Sequence, residues 1–143
     1  MLRLESVDRY NFRSLIDLSV SREQEPFIVS NAYSLAQAGV QPECVPLGVY
    51  EGNRPVGFAM YCLDPDDHSY WIYRLMIDRH YQGKGYGREA LRQLLCLIQA
   101  QPDCESVYIS FEPGNERAKR LYESMGFAPD GRVLFGEIVY RLG

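Results

Sequence analysis

Near the middle of this chain a strand-like segment runs directly into a glycine-rich turn and then into a helix, an order that suits phosphate binding. The segment from Tyr70 to Ile77 is rich in aromatic and β-branched residues, which favours a strand. After Gly87, apolar residues recur at three- and four-residue steps, which predicts an amphipathic helix that ends near Gln101. Free backbone amides at the start of such a helix bind anions, and glycine lets the backbone approach their oxygen atoms. The segment therefore predicts a phosphate-binding site.

The glycine-rich turn has the sequence Gln82-Gly83-Lys84-Gly85-Tyr86-Gly87. A Walker A loop is excluded because Lys84 is followed by Gly85 instead of serine or threonine. A dinucleotide-binding fingerprint is excluded because its third glycine falls on Arg88. The remaining pattern, Gln-x-x-Gly-x-Gly, predicts that backbone amides of the turn bind phosphate and that Lys84 and Arg88 add positive charge. The alternative is that the glycines only form a tight turn between strand and helix.

A second motif lies about thirty residues further on. It reads Asn-x-x-Ala-x-x-Leu-Tyr-x-x-x-Gly-Phe and comprises Asn115, Ala118, Leu121, Tyr122, Gly126 and Phe127. On a helix, Asn115, Ala118 and Tyr122 share one face, so a small residue lies between two polar ones. That face suits close contact with a polar ligand. The alternative is an ordinary capped helix with a buried tyrosine and a glycine stop.

Together the two motifs resemble the GNAT superfamily of acetyl-CoA-dependent N-acetyltransferases, over Tyr70 to Phe127 or about two fifths of the chain. The stretch from Ser21 to Asn31 is also similar to bacterial polyamine or diamine acetyltransferases. The resemblance implies an α+β fold in one domain, residues 1–143. Its mixed, mostly antiparallel central sheet would have a splay between the fourth and fifth strands, with helices flanking it. A homodimer also agrees with the family.

The resemblance implies acetyl-CoA as the cofactor, with its pyrophosphate on the glycine turn and its pantetheine arm along the end of the central strand. The residues that it assigns to the cofactor are Leu75, Met76, Ile77, Gln82, Gly83, Lys84, Gly85, Tyr86, Gly87, Arg88, Asn115, Ala118 and Tyr122. The thioester would enter the splay between Tyr70–Ile77 and Ser106–Phe111. Asn115 matches the position that contacts the pantetheine arm, and Tyr122 matches the tyrosine near the sulfur.

An amine must be neutral to attack a thioester, so such a site needs a proton acceptor, donors for the developing oxyanion and an acid for the thiolate. Tyr122 is the candidate acid, and the amide of Met76 is the candidate oxyanion donor.

One position departs from the family pattern. Many relatives carry a glutamate on the central strand where this chain has Arg74, and an arginine cannot act as a base. Deprotonation would then use water held by Tyr73, Glu112 or Asp64, or the amine would arrive already neutral.

The acceptor site is predicted from the N-terminal region. Glu23, Glu25 and Asn31 are candidates to bind a cationic amine, and Tyr73 is a candidate to contact it through its ring. The alternative is that the carboxylates are a solvated surface. The predicted reaction is acetyl transfer to a polyamine or diamine by direct attack on the thioester. An amino acid, an aminoglycoside or a protein N-terminus remains open as the acceptor, and so does a CoA-binding module without turnover.

Bulk properties exclude several other classes. The formal net charge of −4 argues against a nucleic-acid partner. No apolar segment has the length of a signal peptide or membrane span, so we expect a cytoplasmic protein. The four cysteines lack zinc-ligand spacing, so no metal is expected.

The remaining patterns predict helices early in the chain and strands afterwards. The predicted helices are a stripe through Phe12, Leu15, Ile16 and Leu18, a segment at 31–38 that Gly39 ends, and a segment at 116–125. The predicted strands are 45–50, 56–62, 106–111 and a single last strand at 133–142.

Overall fold

The computed structural model describes all 143 residues, which form one seven-stranded mixed sheet with helices on both faces. The strands are β1 (Leu2–Ser6), β2 (Cys44–Glu51), β3 (Arg54–Leu63), β4 (Tyr70–Ile77), β5 (Val107–Phe111), β6 (Ala128–Leu134) and β7 (Glu137–Leu142). Their order across the sheet is β1-β2-β3-β4-β5-β7-β6. Every neighbouring pair is antiparallel except β4 and β5, which are parallel. The predicted α+β class and mixed sheet are confirmed.

The helices are α1 (Phe12–Ile16), α2 (Asn31–Val40), α3 (Tyr86–Gln99) and α4 (Glu116–Ser124). The hydroxyl of Ser30 accepts the Tyr33 amide and caps α2, while the side chain of Asn115 accepts the Ala118 amide and caps α4. No helix in the structure combines the length and the apolar character that a membrane crossing requires.

Four details of the predicted elements are wrong. The sequence predicts only helices in the early region, yet the chain begins with β1, a five-residue strand whose Leu2 and Leu4 pack into the core. The first helix ends at Ile16, and α2 continues through Gly39 to Val40 because Gly39 has no left-handed φ.

The predicted last strand at 133–142 is two strands, β6 and β7, joined by a tight turn at Phe135 and Gly136. The φ angles there are 51° and 81°, so both residues are left-handed. Phenylalanine is rare in that conformation. A tight hairpin turn usually has two residues that tolerate a positive φ, such as Asn-Gly, and this turn has only Gly136.

The strands β4 and β5 separate after three residue pairs. The pairs are Tyr70 with Val107, Trp71 with Tyr108 and Ile72 with Ile109. On its other side β4 stays paired with β3 as far as Ile77, with a one-residue bulge at Tyr73. Bulges bend a strand locally, so the bulge accounts for the divergence of β4 from β5. The backbone from 73 to 77 is consequently unpaired on the side that faces β5, and the predicted splay is confirmed.

Two apolar layers hold the helices to the sheet. On one face α3 contributes Leu91, Leu94 and Ile98, all completely buried, to a cluster that also contains Tyr122 of α4. On the other face, Leu15 of α1 packs with Phe58 in a second cluster. Burying each such side chain stabilises the fold by about 1.5–3 kcal/mol. The end of β4 is therefore held rigidly from both sides at the point where the splay opens.

Candidate active site

The glycine turn is anchored at the end of β4 by Asp78. Its buried carboxylate accepts the amides of Ser19 at 2.9 Å and His80 at 3.1 Å, and so begins a short 3₁₀ turn. Burial acts to raise the pKa of Asp78, but these hydrogen bonds outweigh it and hold the pKa below its ordinary value. The fixed turn delivers the chain to Gly83 and Gly85 in a set geometry.

Two glycines of the turn lie in the left-handed region that other residues avoid. Gly83 has φ 78° and Gly85 has φ 82°, and no atom lies within 4 Å of where a side chain would begin at either position. Gly85 is also the N-cap of α3, so the first amides of that helix open toward free space. This open, amide-rich surface suits an anion, as the sequence predicted.

The side chain of Gln82 ties the turn to its surroundings. It donates to the carbonyl of Ile77 and to Oε1 of Gln24, both at 2.8 Å, and accepts from Arg117 at 2.9 Å. Gln82 thus positions the turn, while Arg117 brings a cation that sequence reasoning missed. Arg88 is held by Ser124 at 2.8 Å.

A cleft of about 820 Å³ runs from the glycine turn through the splay. That volume is in the range of ligand sites. Its lining includes every residue predicted to contact the cofactor except Lys84, namely Leu75, Met76, Ile77, Gln82, Gly83, Gly85, Tyr86, Gly87, Arg88, Asn115, Ala118 and Tyr122. Lys84 is exposed beside the cleft. The two sequence motifs, distant along the chain, therefore form one continuous wall.

Tyr122 lies in the middle of this wall with only 8% of its surface exposed. Its ring packs between Phe111, with 5.6 Å between ring centroids, and Phe127, at 6.0 Å. Burial raises the pKa of Tyr122 well above its usual value, and the nearby charge of Glu137 raises it further. Tyr122 therefore stays protonated and is able to donate a proton.

Arg74 forms part of the opposite wall and is held as a fixed cation. Its guanidinium donates to Ser34 Oγ at 3.0 Å, to the Tyr73 carbonyl at 2.8 Å and to Gln37 Oε1 at 2.8 Å. The ring of Tyr33 lies 6.0 Å away. Burial lowers the pKa of Arg74, but arginine remains protonated in proteins.

The residues proposed to hold a water for deprotonation differ in position. Tyr73 and Asp64 line the cleft, whereas Glu112 does not. Burial raises the pKa of Tyr73 well above its ordinary value, with a further contribution from a hydrogen bond to Cys62. Tyr73 is therefore neutral at physiological pH.

The structure does not bring three predicted acceptor residues to the cleft. Glu23 and Glu25 are exposed outside its lining, although Gln24 between them lies within it. Asn31 is 3% exposed, and its amide donates to the carbonyl of Leu15 at 2.8 Å. The Asn31 side chain thus connects α2 to α1 and does not line the cleft.

The cleft also contains a carboxylate, next to the splay, that sequence reasoning missed. Glu137, the first residue of β7, lines the cleft and accepts the hydroxyl of Ser110 at 2.7 Å. Apolar residues of the same cleft lining include Phe27 and Ile28 and, at the β6–β7 tip, Leu134 and Phe135. The sequence predicts β6 and β7 as one strand, so it does not predict the turn that brings Glu137 to the cleft.

A splayed strand pair, an amide-rich glycine turn and a buried tyrosine in one cleft define the class of acyltransferases that use acetyl-CoA. The chain belongs to the Acetyltransferase (GNAT) family, whose family model matches residues 11–127. The predicted resemblance is confirmed. The chain is thus an acetyl-CoA-dependent N-acetyltransferase, and the open turn and the unpaired edge of β4 fit an extended cofactor of that kind.

Three similar proteins illustrate the relationship. The spermine/spermidine N(1)-acetyltransferase of Bacillus subtilis (strain 168) is 33% identical over 140 residues, which cover 94% of this chain and 92% of that protein. Two solved structures share the fold at lower identity. The aminoglycoside acetyltransferase AAC(6')-Ib in complex with coenzyme A has a TM-score of 0.81, 20% identity, and coverage of 99% and 93%. The spermidine N-acetyltransferase of Vibrio cholerae with CoA and spermine has a TM-score of 0.75, 18% identity, and coverage of 98% and 92%.

Proposed function

We propose that this acetyltransferase acetylates a primary amine at the end of an alkyl chain, in a polyamine or a diamine. The observation that carries the proposal is the composition of the cleft lining, which combines the Glu137 carboxylate with apolar residues such as Leu134 and Phe135. Methylene groups suit such walls, and an ammonium group suits the carboxylate. The Bacillus subtilis relative bears the name of a spermine/spermidine acetyltransferase, which supports the same acceptor class.

In the proposed reaction the backbone supplies most of the cofactor contacts. Amides from Gln82 to Gly87 hold the pyrophosphate, and Arg88 and Arg117, which also line the cleft, balance its charge. The unpaired edge of β4 from Leu75 to Ile77 pairs with the pantetheine arm as an added strand would. The Met76 amide then stabilises the negative charge that develops on the thioester oxygen.

Tyr122 completes the proposed reaction as the acid. The amine nitrogen attacks the thioester carbon directly, a C–N bond forms, and the C–S bond breaks with its electron pair left on sulfur. Tyr122 gives its proton to that sulfur, which its raised pKa permits because the phenol is protonated at physiological pH.

The test is a panel of amines assayed for CoA release with acetyl-CoA in excess. We expect spermidine, spermine or a short diamine to give the highest kcat/KM. An amino acid, an aminoglycoside or a peptide N-terminus serves as the competing acceptor. Activity on peptides with none on polyamines would remove the proposed acceptor class.

A second candidate is a CoA-binding module without turnover, and Arg74 is the observation that favours it. This fixed cation occupies the strand position where a base is common in the family. The module predicts tight acetyl-CoA binding by calorimetry and no thiol release with any amine of the panel.

A further inference from the structure

Position 74 of this chain is an arginine, which cannot accept a proton from the amine. The reaction therefore needs a proton acceptor elsewhere in the cleft. Tyr73 and Tyr122 line the cleft, but burial keeps both phenols protonated at physiological pH. Asp64 lies in the β3–β4 loop, where its carboxylate accepts the Asp66 amide at 2.8 Å and so closes its own loop. The remaining carboxylate that lines the cleft is Glu137.

The position of Glu137 follows from the sheet topology. Leu134 and Glu137 are the pair that closes the β6–β7 hairpin, so Glu137 enters the sheet directly after the turn. Its carboxylate accepts the hydroxyl of Ser110, and Ser110 lies one residue beyond Ile109, the last residue of β5 that pairs with β4. Glu137 therefore lies where the two strands have separated and the cleft is open.

Charged and titratable groups approach Glu137 from two further elements. Arg74 of β4 and Tyr122 of α4 both lie close enough to interact with the charge of Glu137. Burial lowers the pKa of Arg74 and the Glu137 charge opposes that shift, whereas burial raises the pKa of Tyr122 and the same charge adds to the rise. The other two neighbours carry no charge near neutral pH. Ser110 of β5 donates its hydroxyl to Glu137, and Leu134 of β6 is apolar. The proposed acid and a half-buried carboxylate thus lie on neighbouring walls of the cleft, which is the arrangement that amine acetylation requires.

We propose that Glu137 accepts the proton of the acceptor amine and that Ser110 is the positioning residue that orients its carboxylate. This inference rests on the proposed function. The ammonium group gives one proton to Glu137, which releases it to water, and the freed nitrogen pair forms the C–N bond. The nitrogen then loses its second N–H proton as the amide forms, and that proton restores Tyr122 after Tyr122 has protonated the sulfur. One proton is released for each acetyl group transferred.

The experiment compares Glu137→Gln with Glu105→Gln, which makes the same chemical change at an exposed position outside the cleft. Glutamine keeps the size of the side chain and still accepts from Ser110, so the fold and the cofactor cleft are preserved. We expect kcat/KM for spermidine to fall about 100-fold or more at pH 7.5 in Glu137→Gln. The Kd of acetyl-CoA by calorimetry should match wild type, and Glu105→Gln should match it in both measurements.

A pH series separates a proton acceptor from a simple cation-binding group. The neutral fraction of an alkylamine rises about tenfold per pH unit below its pKa, so the deficit of Glu137→Gln should shrink as the pH is raised from 7 to 9.5. Tyr122 and Arg74 keep their protons over this range, so they do not mask the effect. Ser110→Ala should lower kcat several-fold, because the carboxylate of Glu137 loses the hydroxyl that orients it.

Three results would overturn the inference. Wild-type kcat/KM in Glu137→Gln would exclude the role outright. A deficit confined to KM and constant with pH would make Glu137 only a binding group. A wild-type protein that acetylates no amine of the panel would remove the proposed function as well, whereas the first two results leave that function intact.

Discussion

The two halves of the cleft are built by different means. The cofactor half consists mostly of backbone, from the turn at 82–87 and the free edge of β4, and its residues form two short motifs. The proposed acceptor half consists of side chains that α2, β4 and β7 bring from distant parts of the chain, with Arg74 held by Gln37 and Glu137 held by Ser110. Backbone geometry leaves a local sequence pattern, whereas a side-chain site depends on how the strands are paired.

Replacing Tyr122 with Phe tests the point where the two halves meet, and we expect the largest effect here. The ring keeps its packing against Phe111 and Phe127, so stability and acetyl-CoA affinity should change little. Loss of the hydroxyl removes the proposed acid, and kcat should fall about 100-fold or more. Steady-state kinetics with acetyl-CoA titration by calorimetry separates the two quantities.

The matched control for that change is Tyr10→Phe, since Tyr10 is 86% exposed and lies outside the cleft. It should behave as wild type. If Tyr122→Phe turns over at the wild-type rate, Tyr122 is not the acid.

Replacing Gly85 with Ala breaks the cofactor half alone. A side chain at φ 82° costs about 1 kcal/mol, so the turn either strains or moves its amides away from the phosphate position. We expect the Kd of acetyl-CoA to rise about tenfold, with a small loss of unfolding free energy. Calorimetry and denaturant unfolding measure the two effects.

Gly39→Ala is the control for this substitution, because Gly39 lies inside α2 with no positive φ and no neighbour within 4 Å. Alanine there should leave the Kd unchanged and raise stability by about 0.5–1 kcal/mol. An unchanged Kd in Gly85→Ala would mean that the geometry of the turn does not matter for binding.

The structural elements of the proposed cofactor half are predictable from the sequence because each of them is local. The strand at 70–77 was assigned with its exact bounds, and the capping role of Asn115 follows from its spacing to Ala118. The residues that line the proposed acceptor half are harder to find from the sequence. Glu137 is not predicted as a site residue because the sequence pattern at 133–142 indicates one continuous strand. The turn before Glu137 places Phe135 in a left-handed conformation, which the sequence does not indicate.

Replacing Arg74 with Gln tests the charge balance of the acceptor half. Removing a fixed cation from the wall should favour acceptors with several ammonium groups, because like charges repel at short range. We expect kcat/KM for spermidine to rise about threefold relative to that for butylamine, a monoamine, with no change in acetyl-CoA affinity. Competition between the two amines in one assay measures the ratio directly.

Arg9→Gln removes the same charge from an exposed turn and serves as the control. An equal change for both amines in Arg74→Gln would show that Arg74 acts on the structure of β4 and not on the charge of the acceptor.

Replacing Asn31 with Ala should have the smallest effect on activity, although the sequence predicted this residue as an acceptor ligand. The carbonyl of Leu15 would lose its 2.8 Å hydrogen bond from Asn31 and keep the 3.3 Å bond from the Leu18 amide, so the free energy of unfolding should fall by about 1 kcal/mol. The KM of the amine should stay at the wild-type value, as it should in the exposed control Asn53→Ala. A several-fold rise in that KM without loss of stability would return Asn31 to the acceptor site. Such a rise would mean that the acceptor half extends beneath α2, beyond the walls that Arg74 and Glu137 define.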